Sequence, residues 1–342
     1  MKKTTLILIL TLLSSLLFSN SDANNQQIID SLKHYELKLV KGVPLDVQAH
    51  ANRNIIRNLR ILLKQSNSIE LNFDTLTIIS VLTSDDKKVR VFTWTKPEPL
   101  GMFSFYGIVQ TYNEKLKKFQ FAMLENKDLD DKIAMKKNLP ADRWYGARYY
   151  DIIMKKSSGK TYYTLLGWKS VDMALHAKVV DVLILKNNGD FNFGYNLFDM
   201  RGNDYFKSNS RPKRLIFKYS HQGTMTLKYQ KQTILKKVRD GQVKRSPKQF
   251  GFSAQKKDVR SEPKYKKIRG KMIVFDQMAP ENPNLEGIFS YYIPKINVLD
   301  ALYFDRGKWV YYPDIDARNP TPGNERKPVI NYDLIETIEE ED

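Results

Sequence analysis

The chain of 342 residues contains no cysteine. This absence excludes disulfide bonds, thiol nucleophiles, thiolate metal sites and a lipid anchor on an N-terminal cysteine. The four histidines are scattered, at His34, His50, His176 and His221, and no H-E-x-x-H spacing occurs. No G-x-S-x-G nucleophile motif is present either. The sequence therefore predicts no metal and no cofactor, and it indicates no particular reaction.

Long apolar runs are also scarce, and the one that stands out extends from Leu6 to Phe18. Two lysines precede this run and Ser21-Asp22-Ala23 follows it, so residues 1–23 are predicted to be a secretory signal peptide. A transmembrane helix needs about 20 apolar residues, so we expect no membrane anchor after removal of the signal. The expected location is the periplasm or the cell exterior.

Acidic residues are few in one long segment of the chain. Residues 207–271 contain 21 lysines or arginines and three acidic residues, an excess equal to the net charge of +18 of the whole chain. The last ten residues show the opposite bias, with six acidic residues and no basic one. Such like-charge blocks are usually solvated, and we assign residues 320–342 to an acidic C-terminal tail.

The stretch from Tyr149 to Trp168 predicts a β-hairpin. Runs rich in aromatic and β-branched residues flank Ser157-Ser158-Gly159-Lys160, where glycine supplies the conformation of a tight turn. Similar hairpins are predicted before and after it. The separation from Trp94 to Asn113 equals that from Trp168 to Asn187, at 19 residues, which indicates repeated four-stranded antiparallel meanders.

The predicted fold class is mainly β within an α+β chain. Apolar residues recur at helical spacing over 24–68, which predicts an N-terminal helical hairpin. From residue 69 to 319 the period changes to two, and we expect a β-rich domain whose strands form one continuous or two-layered antiparallel sheet.

A third meander is predicted to be interrupted. It begins with a hairpin of Arg214–Tyr219 and Thr224–Gln230, and Lys271–Phe275 is its next strand. The basic insert at 232–270 lies between them. It has few large apolar residues, two prolines and no sustained period, so we interpret it as an extended, mobile loop.

The insert is the leading candidate for a binding element. Its positive charge favours an anionic partner, such as lipopolysaccharide or another acidic glycan of the envelope, and export argues against genomic nucleic acid. The alternative is a solvated loop, neutralised by the acidic tail. The candidate anion-binding residues are Lys236, Lys237, Arg239, Lys244, Arg245, Lys256, Lys257, Lys264, Lys266, Lys267 and Arg269.

Two further hypotheses involve the strands. Asp151 and Asp181 are predicted on the first and third strands of one meander, where a facing pair would lie about 10 Å apart. That separation is near the upper end for an inverting glycoside hydrolase, although two aspartates on a solvated face, or accepting hydrogen bonds there, are the simpler explanation. Paired tyrosines such as Tyr149-Tyr150 and Tyr291-Tyr292 would alternatively present one ring each to a glycan.

Several segments resemble a group of exported proteins of Bacteroidetes-type bacteria. They are Arg143–Ile153, Thr161–Trp168, Lys271–Asp276, Gly307–Tyr312 and Asp314–Asn319. The resemblance implies export and a shared fold, but no activity, and the chain departs from the group at residues 232–270. We therefore expect an exported envelope protein with a non-enzymatic binding or scaffold function; the alternative is a glycan hydrolase that uses Asp151 and Asp181.

Overall fold

The computed structural model describes residues 23–237 and 265–315. The first residues form two antiparallel helices, α1 over 23–36 and α2 over Leu45–Leu63. Asn58 donates a hydrogen bond of 3.1 Å to the Ser31 hydroxyl, and apolar side chains of both helices share one buried cluster. The predicted helical pair is confirmed. The prediction succeeded because α2 presents apolar residues at intervals of three and four. No helix in the described ranges is long and apolar enough to cross a membrane.

The first sheet is a four-stranded meander in the order β1-β2-β3-β4. Its strands are β1 Ser80–Thr83, β2 Val89–Pro97, β3 Phe103–Asn113 and β4 Lys118–Leu124. The segment before β1 is held by a side chain: the buried carboxylate of Glu36 accepts backbone hydrogen bonds of 2.8, 3.0 and 2.9 Å from Thr77, Ile78 and Ile79. Strand pairing therefore begins at Ser80 and not at Thr75, where the apolar pattern begins.

The second sheet contains the predicted hairpin. Its strands are β5 Arg148–Ser157, β6 Lys160–Ser170, β7 Leu175–Leu185, β8 Phe191–Phe193 and β10 Leu215–Ser220. Ser157 faces Lys160 across the turn, and Ser158 and Gly159 have φ values of 49° and 71°. Two positive values define a type I′ turn, which matches the twist of the strands it connects. A short helix, α3 Asp131–Lys136, precedes this sheet.

The third sheet has the order β11-β12-β13-β14-β9. Its strands are β9 Phe198–Asp199, β11 Leu227–Lys237, β12 Tyr265–Pro280, β13 Tyr292–Asp305 and β14 Lys308–Ile315. Strands β11 to β14 form the third antiparallel meander, and β9 pairs with β14 in parallel. The prediction of repeated four-stranded meanders in a mainly β chain is confirmed.

Two predicted strand pairings are wrong. Strand β10 pairs with β7 in the second sheet, with Leu215 opposite Val180, and does not form a hairpin with β11. The sequence pattern of Phe191–Phe198 predicts a single strand. In the structure this strand is divided, because the chain turns at Gly194 with a φ of 86°, and β8 and β9 belong to different sheets. Both errors come from assigning neighbours in sequence to one sheet.

The elements stack in four layers: the helical pair and the first, second and third sheets. Val91 of β2 packs toward the second sheet, and its neighbour Phe92 packs toward the helices. Between the second and third sheets, Trp309 donates a hydrogen bond of 3.0 Å to the Thr164 hydroxyl. The expectation of one continuous or two-layered sheet is wrong. The strands of the first and second sheets carry apolar side chains on both faces, so each of these sheets is covered on both sides by another layer.

Candidate functional site

A two-stranded ribbon extends from the third sheet. Its strands are Lys231–Lys237 of β11 and Tyr265–Lys271 of β12, and Lys231 lies opposite Lys271. Pairing of β12 with β13 begins at Ile273, so the ribbon continues past the β13–β14 turn. The interpretation of 232–270 as a loop is wrong at both ends, where six residues on each side are in strands.

Apolar contacts on one face explain why these residues form strands. Ile234 and Ile268 are opposite each other and pack in a small cluster with Met272 and Val274. The intervening residues point to the other face. This period of two is divided between segments that are far apart in sequence, so no single window of the sequence shows a sustained pattern.

The other face of the ribbon, which we call the cationic face, consists of Lys231, Lys267, Arg269 and Lys271. These four side chains are exposed, and they occupy the same face as the apolar residues Leu227 and Phe275 farther along the strands. The face is buried where the second sheet covers it. The second sheet ends at the turn after Ser157, near Gly307, and the cationic face lies beyond.

The charges of the cationic face repel one another. Lys231 and Lys271 are direct cross-strand partners, an arrangement that destabilises a sheet. Within residues 23–237 and 265–315, no carboxylate forms an ion pair with Lys231, Lys267 or Lys271. These three lysines therefore form a local excess of positive charge that no carboxylate of the described residues neutralises by an ion pair.

An aromatic group marks the base of the cationic face. The ammonium of Lys155 donates a hydrogen bond of 2.8 Å to the Tyr229 hydroxyl and lies 5.4 Å from the centre of that ring. Lys271 approaches the same ring at 5.7 Å, and Trp309 packs edge-on against it. Tyr229 is partly exposed. The row of cations therefore ends beside an aromatic ring that the face of a sugar can contact.

On the opposite face, one lysine has a carboxylate partner. Lys236, which faces Lys266 across the ribbon, forms an ion pair with Asp305 at the β13–β14 turn. The hydrogen bond from Lys236 holds the pKa of Asp305 below its ordinary value. Lys236 therefore has a carboxylate partner within the protein, in contrast to Lys231, Lys267 and Lys271.

The structure describes five of the predicted anion-binding residues. Lys267 and Arg269 lie on the cationic face, whereas Lys236 and Lys266 lie on the opposite face, and Lys237 ends β11. The remaining candidates lie outside the described residues: Arg239, Lys244, Arg245, Lys256, Lys257 and Lys264. Lys231 and Lys271 were missed because the predicted insert began and ended one residue inside them.

The hypothesis of a facing carboxylate pair is wrong. Asp151 is in register with Leu166 of β6 and through it with Val180, whereas Asp181 is in register with Leu165. Rows offset by one residue point to opposite faces of a sheet. The two carboxylates therefore do not converge on one substrate, as an inverting pair requires.

Asp181 instead belongs to a buried network. It is fully buried, and its carboxylate accepts hydrogen bonds of 2.7 Å from Arg214 and 3.0 Å from the Tyr149 hydroxyl. Trp144 donates to the same hydroxyl at 3.1 Å. Burial raises the pKa of Tyr149, so the phenol stays protonated and donates to Asp181. This arrangement connects β5, β7 and the chain entering β10 in the protein interior.

The paired tyrosines do not form the predicted surface of outward rings for a glycan. Tyr149, Tyr163 and Tyr311 are buried between layers. Of the paired tyrosines, all of which the structure describes, only Tyr291 is classed as exposed, at 45%. The described residues contain no group of three histidine or acidic side chains arranged to hold a metal ion. The cationic face is therefore the candidate that the geometry supports best.

Comparison with family models, curated proteins and solved structures finds no match to this chain.

Proposed function

We propose that this chain is an exported envelope protein with a non-enzymatic binding function, and that the cationic face of the ribbon contacts an anionic glycan. Phosphorylated lipopolysaccharide and acidic polysaccharide are the two sources of that chemistry. Export is supported by the charged and apolar pattern of residues 1–23. The single observation that supports the binding site most strongly is the cross-strand pair of Lys231 and Lys271, with no ion-pairing carboxylate among the described residues.

A polyanion would relieve the repulsion that the fold leaves in place. Each lysine that contacts an anionic group releases counterions, and binding weakens steeply as salt increases. The partly exposed Tyr229 at the base offers a ring face for a sugar. These features together favour a glycan with several charges over a small single anion.

The test uses titration calorimetry of the chain with lipopolysaccharide and, separately, with polygalacturonate. We expect binding to weaken by at least about tenfold between about 50 and about 200 mM salt. The triple variant Lys231→Gln, Lys267→Gln, Lys271→Gln is expected to lose at least about tenfold in affinity at the lower salt concentration. Which of the two glycans binds more tightly identifies the source.

A matched control removes the same charge elsewhere. Lys33→Gln, Lys115→Gln and Lys118→Gln change three exposed lysines of the helical pair and the first sheet, and this variant should bind as the unchanged chain does. Equal losses in both triple variants would contradict a local site and indicate attraction by net charge. Lysines on sheet edges also prevent pairing between molecules; self-association of the ribbon variant with unchanged binding would assign them that role instead.

A further inference from the structure

The cations of the ribbon form a line. Lys267, Arg269 and Lys271 occupy alternate positions of β12 and point to the same face. Alternate residues of a strand are separated by about 6.8 Å, so the line extends about 14 Å from Lys267 to Lys271. A single phosphate or a compact headgroup reaches at most two of these side chains.

The neighbouring strand is different. Opposite Arg269 lies Thr233, and opposite Lys267 lies Leu235, which is 63% exposed. On this face, β12 carries three cations. The β11 positions between Lys231 at the base and Lys237 at the end of the strand, Thr233 and Leu235, are uncharged. A pyranose polymer has matching chemistry, because its anionic groups project from rings that also present apolar C–H surfaces.

We infer that the ligand of the cationic face is a linear anionic glycan that lies along β12, with its charged groups on Lys267, Arg269 and Lys271 and its sugar rings over Thr233 and Leu235. This inference rests on the proposed function and narrows it from an anionic glycan in general to one whose charges recur along an extended chain.

Oligogalacturonides of increasing length test the line directly, because they carry one carboxylate per sugar. Affinity measured by calorimetry should rise with each added sugar until the oligomer spans about 14 Å and should then level off. Inositol hexakisphosphate, which concentrates its charges on one ring, should bind at least about tenfold more weakly than the long oligomers at equal salt.

A charge-swap variant separates the line from the total charge. The double substitution Leu235→Lys and Lys267→Leu moves one cation from β12 to its cross-strand partner and leaves the net charge unchanged. We expect the affinity for long oligomers to fall by about fivefold or more, and the length at which affinity levels off to become shorter. Circular dichroism should show that the variant remains folded.

The outcomes distinguish the two proposals. If the swap variant binds long oligomers as the unchanged chain does, or if inositol hexakisphosphate binds as tightly, the linear arrangement is overturned and the proposed anion-binding function remains. If neither the oligomers, lipopolysaccharide nor inositol hexakisphosphate binds in a salt-dependent way, both proposals fail.

Discussion

Two groups of charged residues in the β-sheets differ in whether an oppositely charged side chain lies beside them. Asp181 and Arg214 are fully enclosed between layers, and each is the hydrogen-bonded partner of the other. Lys231, Lys267 and Lys271 lie on an exposed face, and Lys231 is directly opposite Lys271. The opposite charges of the first group are paired within the fold, whereas no described carboxylate forms an ion pair with the lysines of the second group. A charged residue on a strand therefore indicates a binding function only after its partners have been counted.

Breaking the buried pair should have the largest effect on stability. Asp181→Asn removes the negative charge and leaves Arg214 buried without a counterion, which is expected to cost about 3–5 kcal/mol of unfolding free energy. Urea denaturation followed by tryptophan fluorescence measures the loss.

The matched control for this variant is Asp151→Asn on β5, which β6 separates from β7 in the same sheet. Asp151 is partly exposed, so we expect a loss below about 1 kcal/mol. Similar losses for the two variants would contradict the distinction between the buried and the exposed carboxylate. Neither variant should alter glycan affinity at temperatures where it is folded.

Lys169 shares a property with each group. It is largely enclosed, as the buried pair is, but its close contacts are a carbonyl and a ring and not a carboxylate. Its ammonium donates to the Tyr145 carbonyl at 2.6 Å and lies 3.9 Å from the centre of the Tyr145 ring. Burial lowers the pKa of Lys169 from 10.5 to about 8. Below pH 8 the folded chain therefore bears the full cost of enclosing this charge.

Between pH 8 and 10.5 the unfolded chain binds more protons at this position than the folded chain, so stability should rise with pH across that window. The expected gain is at most about 3 kcal/mol. Lys169→Met should remove this component, so the difference in unfolding free energy between the two proteins should change over the window. Parallel curves of unfolding free energy against pH would contradict the assignment.

The smallest change in unfolding free energy is expected at the ribbon. Its sign should be opposite to that of Asp181→Asn, because the substitution removes a repulsion and not an attraction. Lys231→Gln removes the repulsion with Lys271 and should change unfolding free energy by no more than about 0.5 kcal/mol, in the stabilising direction. The gain should shrink at high salt, because salt screens exposed charges. A substantial loss of stability would mean that Lys231 has a structural partner and would weaken the proposed site.

Much of the fold was predictable because its signals are local. The hairpin of β5 and β6 follows from an alternating run, a two-residue turn and a second run, all within Tyr149–Trp168. The pairing of β10 with β7 was not predictable in this way, because the choice between two sheets depends on contacts between distant residues. The layering has the same origin, since alternation shows that both faces are covered but not what covers them.

The site was predictable only in part. The excess of basic residues in 207–271 indicated the correct region. Which lysines share a face depends on the register of β11 against β12, with Lys231 opposite Lys271 and Lys236 opposite Lys266. Composition contains no information about register. The internal partner of Lys236, Asp305, lies 69 residues away and is equally invisible in the sequence.

The segment Thr77–Ile79 is hydrogen-bonded from two sides. Glu36 of the helical layer accepts its amides, and Arg148 of the second sheet donates to the carbonyls of Thr77 and Ile78. The helices, the first sheet and the second sheet thus meet at three residues that belong to no strand. The helical pair cannot separate from the sheets without uncovering these amides, which makes the first three layers one cooperative unit of unfolding.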